Sequence, residues 1–295
     1  MTAERATRSR VVFVAAVACL LLLNLTVLFA AYPETTTNDS GCCGNRTLAK
    51  DFSAFYTAAW RLVHDPGQVY TAGFVNDGEY HVLPQPETYK YLPSFLLFAI
   101  PFTALPYQQA LTAFDMVQFL LLPLIAFFLY ALLREKGVAV AVVIAAIALL
   151  LPSPEPQWGI SAAYYWQWGE GQSKVLETFL LLFSFYLGKT GRPACSGAVF
   201  ALSAFDPRFT LLGLPLFIMY NRPRLKKSMA AGVCVFLATN VFLLDPPIGS
   251  GFITTLVNSG LSTPVYYYAL IPLLTVVALT LANLDEIVRS WRKLL

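Results

Sequence analysis

The sequence predicts an all-α, polytopic membrane protein with about eight crossings, together with helices that dip into the bilayer or lie along it. Three observations carry that prediction. The chain of 295 residues is 57% hydrophobic and 13% charged, with mean hydropathy +0.60. Soluble domains carry about 25% charged residues, so water cannot solvate this surface on all sides and lipid must cover much of it. The apolar residues fall in runs separated by charged or Pro/Gly breaks, and the basic residues cluster at a subset of those breaks. The whole reads as one membrane domain, residues 1–295, with net charge +3 and no basic patch that would take nucleic acid.

The first run, residues 11–31, is 21 residues long and follows Arg5, Arg8 and Arg10. At 1.5 Å per residue it covers a hydrocarbon core of about 30 Å. A cleaved signal peptide would have a shorter apolar core followed by a small-residue cleavage site, so the run reads as a retained anchor, with cleavage as the alternative. Later runs lie at 92–105, 109–133, 138–151, 172–188, 193–205, 208–220, 228–244 and 264–283, several of them short for a crossing. Charge asymmetry arbitrates. The N-terminus, 134–137, 188–192, 221–227 and the tail at 284–295 hold 14 of the 20 Lys+Arg and four of the 17 Asp+Glu. Placing all five in the cytoplasm, as the positive-inside rule prefers, makes 92–105 re-entrant or interfacial and 193–220 a hairpin. Its break falls at Asp206-Pro207-Arg208, where proline disrupts a helix and restricts the residue before it. Both termini are then cytoplasmic, and 92–283 forms the helical bundle.

The opposite, extracytoplasmic face collects the unusual residues: the 32–91 loop, the aromatic and acidic stretch 152–174, Asp206 with Arg208, and Asp245. In the first loop, Asp51 opens a helical stripe of Phe52, Phe55, Tyr56, Ala59, Trp60, Leu62 and Val63. At about 13 residues this helix is too short to span, and it is expected to lie along the interface. Two readings stand for Asp51: a helix N-cap, or a general base for a hydroxyl nucleophile at the membrane surface.

Other residues also keep two readings. Lys174 and Arg208 are either phosphate partners lining a polar cavity, or, respectively, a snorkelling lysine and an ion pair with Asp206. Glu177 lies three residues beyond Lys174 and is placed to neutralise it. Gly169, Glu170, Gly171 and Gln172 form a polar corner or a plain loop before a helix. Trp158, Trp166 and Trp168 suit an interfacial belt or stacking on sugar. His64 and His81 share the first loop with Cys42 and Cys43, whose adjacency lacks zinc-site spacing. Cys19, Cys195 and Cys234 read as small buried hydrophobes. No Gly-rich phosphate loop, nucleophile elbow or metal-binding helix motif appears, which disfavours nucleotide donors, ATP-driven transport and serine hydrolysis. No metal or cofactor is expected.

The segments DFSAFYTAAWRL (51–62), Tyr70, YKYLPSFLLFAIPFTALP (89–106), WGEGQS (168–173) and the broken, basic-ended stretch 197–227 stand in an order and spacing that resembles one family. It is that of the polyprenol-phosphate-mannose-dependent mannosyltransferases of the GT-C class, glycosyltransferase family 87. The resemblance implies transfer of a hexose, most plausibly mannose, from a polyprenyl-phosphate donor to a glycolipid or glycan hydroxyl on the outer face. It further implies Asp51 as the catalytic carboxylate and turns the corner at Gly169, Gly171 and Gln172 toward the active site, with Glu170 a second carboxylate there. Lys174 and Arg208, near the outer ends of membrane segments, are the phosphate candidates, with Asp206 beside Arg208. Two departures stand out. The family's Lys-Pro pair at the break reads Asp206-Pro207-Arg208 here, and relatives often carry more crossings. The expectation is therefore a minimal enzyme, an enzyme with a membrane-protein partner, or a non-catalytic subunit, with a lipid-carrier transporter as the weakest alternative.

Overall fold

The computed structural model describes residues 50–71, 89–134, 171–259, 280 and 283. Expected spans 11–31, 138–151 and nearly all of 264–283 lie outside them, as do Glu170, His81, Cys19, Cys42, Cys43 and the three tryptophans of 158–168. Among the described residues every regular element is helical.

Helix α1, Lys50–His64, carries Asp51 in its first turn and Arg61 and His64 in its last, a charge order that suits the helix dipole. Its 15 residues make about 22 Å. The burial expected along one aromatic stripe extends around the helix. Ser53, Ala54, Thr57 and Ala58 are buried as well as the aromatic stripe, so protein wraps both sides. Phe52 and Phe55 enter a core with Phe95, Phe102, Tyr107 and Phe114. Arg61 then donates through Nη1 to the carbonyls of Gln68 and Thr71, at 3.2 and 2.6 Å, and ties the following loop back to the helix.

The 92–105 run folds as three short turns, Pro93–Phe95, Leu96–Ala99 and Ile100–Ala104, broken at its prolines. Even as continuous helix, those 12 residues would reach only about 18 Å. Helix α2, Tyr107–Leu133, is the one described helix long and apolar enough to cross a membrane. Lys189 donates to the carbonyls of Ala131 and Leu132 at its C-terminal end, where the helix leaves acceptors unsatisfied.

Helix α3, Lys174–Lys189, is followed by a left-handed turn at Gly191 (φ 79°) into α4, Pro193–Ser203. The chain breaks before Pro207 and returns as α5, Pro207–Asn221, so the expected hairpin forms. Phe200 stacks on Phe217 and Ser196 meets Asn221 across it. Helix α6, Leu225–Thr239, crosses α4 so closely that Gly197 lies against the Ser228 carbonyl. Helix α7, Pro246–Ser259, was not foreseen, although Asp245 before two prolines is a helix-start pattern. Cys195 and Cys234 are exposed rather than buried. Both lie on helix faces that the described residues leave uncovered, so apolar sequence here does not mean interior.

Candidate active site

The site assembles where α1, the 89–95 segment, the start of α3 and the α4–α5 break converge. Each approach has a local cause. Gly171 takes φ 67°, a left-handed conformation that glycine adopts without strain, and turns the chain so that Gln172 and Ser173 are buried as α3 begins. Pro207 starts α5 and leaves Asp206 at the break, 1% exposed. The 89–95 segment is held by its backbone. The Tyr91 carbonyl accepts from Tyr70, the Leu92 amide donates to the Phe205 carbonyl, and the Ser94 amide donates to Asn240 Oδ1.

On this frame the polar side chains form a continuous set. Gln172 Nε2 donates to Asp51 Oδ2. Tyr91 donates its hydroxyl to Gln172 Oε1 at 3.4 Å, and the Lys174 ammonium stands 5.4 Å from the centre of the Tyr91 ring. Lys174 Nζ donates to Asp206 Oδ2 at 2.7 Å and to Glu177 Oε2 at 3.1 Å. All three members of this ion cluster are nearly inaccessible. Ions removed from water in this way hold their places only when paired and hydrogen-bonded, and here one ammonium serves two carboxylates. Ser173 Oγ, wholly buried at the head of α3, has no hydrogen-bond partner among the described residues.

Of the residues singled out in the sequence, Asp51, Gln172, Lys174 and Asp206 are brought together. Arg208 lies in the first turn of α5, two residues past Asp206, and Glu170 lies outside the described residues. Asp206 pairs with Lys174, where the sequence offered Arg208 as its partner. The i,i+3 pairing of Lys174 with Glu177 forms as expected. His64 is distant in role: its ring stacks on Trp60 and its Nδ1 contacts the Trp60 carbonyl. Sequence reasoning missed Tyr91. Its only signal was its place in the YKY-Leu-Pro stretch, where two tyrosines precede a proline-enforced turn. Below it, Tyr89 is buried with its hydroxyl on the Leu92 carbonyl, and burial pushes its pKa well above the usual phenol value.

The model of glycosyltransferase family 87 matches residues 89–283, about two thirds of the chain. No curated protein and no solved structure is similar to it. The match begins after α1, so Asp51 lies outside it, while Gln172, Lys174, Asp206 and Arg208 lie inside.

Proposed function

The chain belongs to glycosyltransferase family 87 and transfers a sugar, and on that premise we propose that it moves a hexose, mannose in the first instance, from a polyprenyl-phosphate carrier to a hydroxyl of a glycolipid or glycan. The reaction takes place on the extracytoplasmic side of a multi-pass membrane bundle whose termini are cytoplasmic. Large apolar side chains exposed on α2, α5 and α6, among them Leu120, Leu211 and Leu237, support lipid as the surrounding solvent.

The observation that carries the reading is the contact between Asp51 and Gln172, which brings a carboxylate from outside the family-matched region against residues inside it. The chemistry follows as a direct displacement. The acceptor oxygen forms a bond to the anomeric carbon while its proton passes to the Asp51 carboxylate. The bond from that carbon to the phosphate oxygen breaks, and its electron pair leaves with the polyprenyl phosphate. A base within hydrogen-bond reach supplies typically 10²–10⁴ in rate.

The leaving phosphate needs positive charge. Lys174 is bonded to Asp206 and Glu177, so it serves a phosphate only by exchanging one of those carboxylates. Arg208, always ionised and with a planar fork that suits phosphate oxygens, is the assignment we prefer. The head of α3, with Ser173, supplies N–H groups and a helix dipole of the right sign. Gln172 and Glu170 belong to the corner that faces the substrates.

The test offers membranes containing the full chain radiolabelled polyprenyl-phosphate-mannose, polyprenyl-phosphate-glucose or a nucleotide-mannose, with carrier synthesis blocked in the last case. Label entering lipid or glycan only from the polyprenyl-linked mannose supports the proposal. Transfer from the nucleotide sugar under that block sinks it, and transfer only with a second membrane protein present makes the chain a subunit of a larger enzyme.

A further inference from the structure

Tyr91 and Gln172 do more than line the site. We propose that they are positioning residues, a two-member relay that holds the Asp51 carboxylate in one orientation and keeps it ionised. Their role in catalysis rests on the reading of Asp51 as base, whereas their effect on its protonation does not.

A glutamine amide has one donor end and one acceptor end. Here the donor end meets Asp51 Oδ2 and the acceptor end receives the Tyr91 hydroxyl. Turning the amide over would set its carbonyl against a carboxylate, two acceptors facing each other, and would forfeit the Tyr91 bond. The tyrosine therefore fixes which way the amide points, even through a contact of 3.4 Å. Gln172 has no freedom to drift, because it is 3% exposed and follows the left-handed turn at Gly171.

Tyr91 is itself held on three sides. Its ring lies 5.3 Å from Phe55, 5.8 Å from Phe95 and 6.1 Å from Phe205, and its carbonyl is bonded by Tyr70. The Lys174 ammonium over its ring makes it sensitive to the ion cluster at the α4–α5 break. One side chain thus bonds the group that orients Asp51 and lies beneath the ammonium that pairs with Asp206. A donor placed on an ionised carboxylate favours the charged form and lowers its pKa. The relay thereby holds the Asp51 carboxylate facing one way, with Oδ2 on the Gln172 amide.

The experiment reads Asp51 protonation directly, by infrared titration of the purified full chain. The carboxyl band that disappears in Asp51→Asn belongs to Asp51. Its midpoint is expected to rise by about one pH unit in Gln172→Leu, which keeps size and removes the donor, and further in Gln172→Glu, which adds a like charge. Tyr91→Phe keeps the ring and its stacking and is expected to raise the midpoint by less. In the transfer assay the acidic limb of the rate should move to higher pH by a similar amount in Gln172→Leu, with activity restored above it.

A midpoint unmoved in Gln172→Leu and Tyr91→Phe overturns the relay, and Tyr91→Phe decides the matter should Gln172→Leu fail to fold. Full transfer by Asp51→Asn overturns the assignment of the base instead, and leaves the infrared result standing.

Discussion

Replacing Gly197 with alanine perturbs the helix crossing that positions the site. A Cβ on Gly197 would lie 1.8 Å from the Ser228 carbonyl oxygen and 2.7 Å from its carbon. Both are backbone atoms, so no side chain can swing away, and α4 and α6 must separate by more than an ångström. Overpacking of this kind costs about 1–3 kcal/mol, and the upper end applies because a whole helix must move. Helix α6 leads directly into Asn240, whose Oδ1 holds the Ser94 amide and with it the segment bearing Tyr91. The same change at Gly232 is a control on the same interface. Its Cβ would stand 3.0 Å from the Gly197 carbonyl oxygen, a squeeze of a few tenths of an ångström. Thermal unfolding of the detergent-solubilised chain, followed by tryptophan fluorescence, should place Gly197→Ala roughly 6 °C or more below the parent and Gly232→Ala within roughly 3 °C. Equal shifts for the two variants would refute the close crossing.

Other perturbations test separate parts of the structure. Lys174→Met leaves Asp206 and Glu177 buried without their cation and should cost about 3–5 kcal/mol, read as a lowered Tm or loss of folded protein; Tm unchanged within error contradicts the ion cluster. Asp115 is 4% exposed and its Oδ1 has no hydrogen-bond partner among the described residues, so Asp115→Leu should raise stability by about 1–3 kcal/mol in the same assay, and a fall would contradict this. Burial raises the pKa of both Tyr70 and Tyr89. A raised folded-state pKa contributes stability that is complete below the unfolded value, about 10, and declines as pH climbs above it. Unfolding midpoints should therefore hold to about pH 10 and fall beyond it, with Tyr70→Phe and Tyr89→Phe flattening that fall; a fall equally steep in both variants and the parent contradicts this.

Much of the fold was legible because its signals are local. The break at Asp206-Pro207 follows from what proline forbids, and the Lys174–Glu177 pair from helical spacing. The length of α2 follows from a long apolar run in which Asp115 is the one charged residue. What was not legible depends on contacts between distant residues. Asp51 and Gln172 are 121 residues apart, and Lys174 and Asp206 are 32 apart. Nothing in either neighbourhood declares its partner. Helix α1 misled for a different reason. Its stripe suggested a surface helix, yet Ser53 and Thr57 are buried too, because small polar residues let other segments close over a face that looks wet on a helical wheel. Helix α7 was hidden by composition, since PPIGSG reads as loop until the proline pair is taken as a helix start. Cys195 and Cys234 misled because apolar residues also occupy exposed helix faces here, so apolar does not mean interior.

The most direct test of the central claim, that Asp51 is the base seated against the Gln172 corner, measures donor binding and sugar transfer on one preparation of Asp51→Asn beside the parent chain. Radiolabelled polyprenyl-phosphate-mannose should bind both with similar affinity, while transfer by the variant falls by about 10²-fold or more. Transfer within a few-fold of the parent, with binding intact, would contradict it.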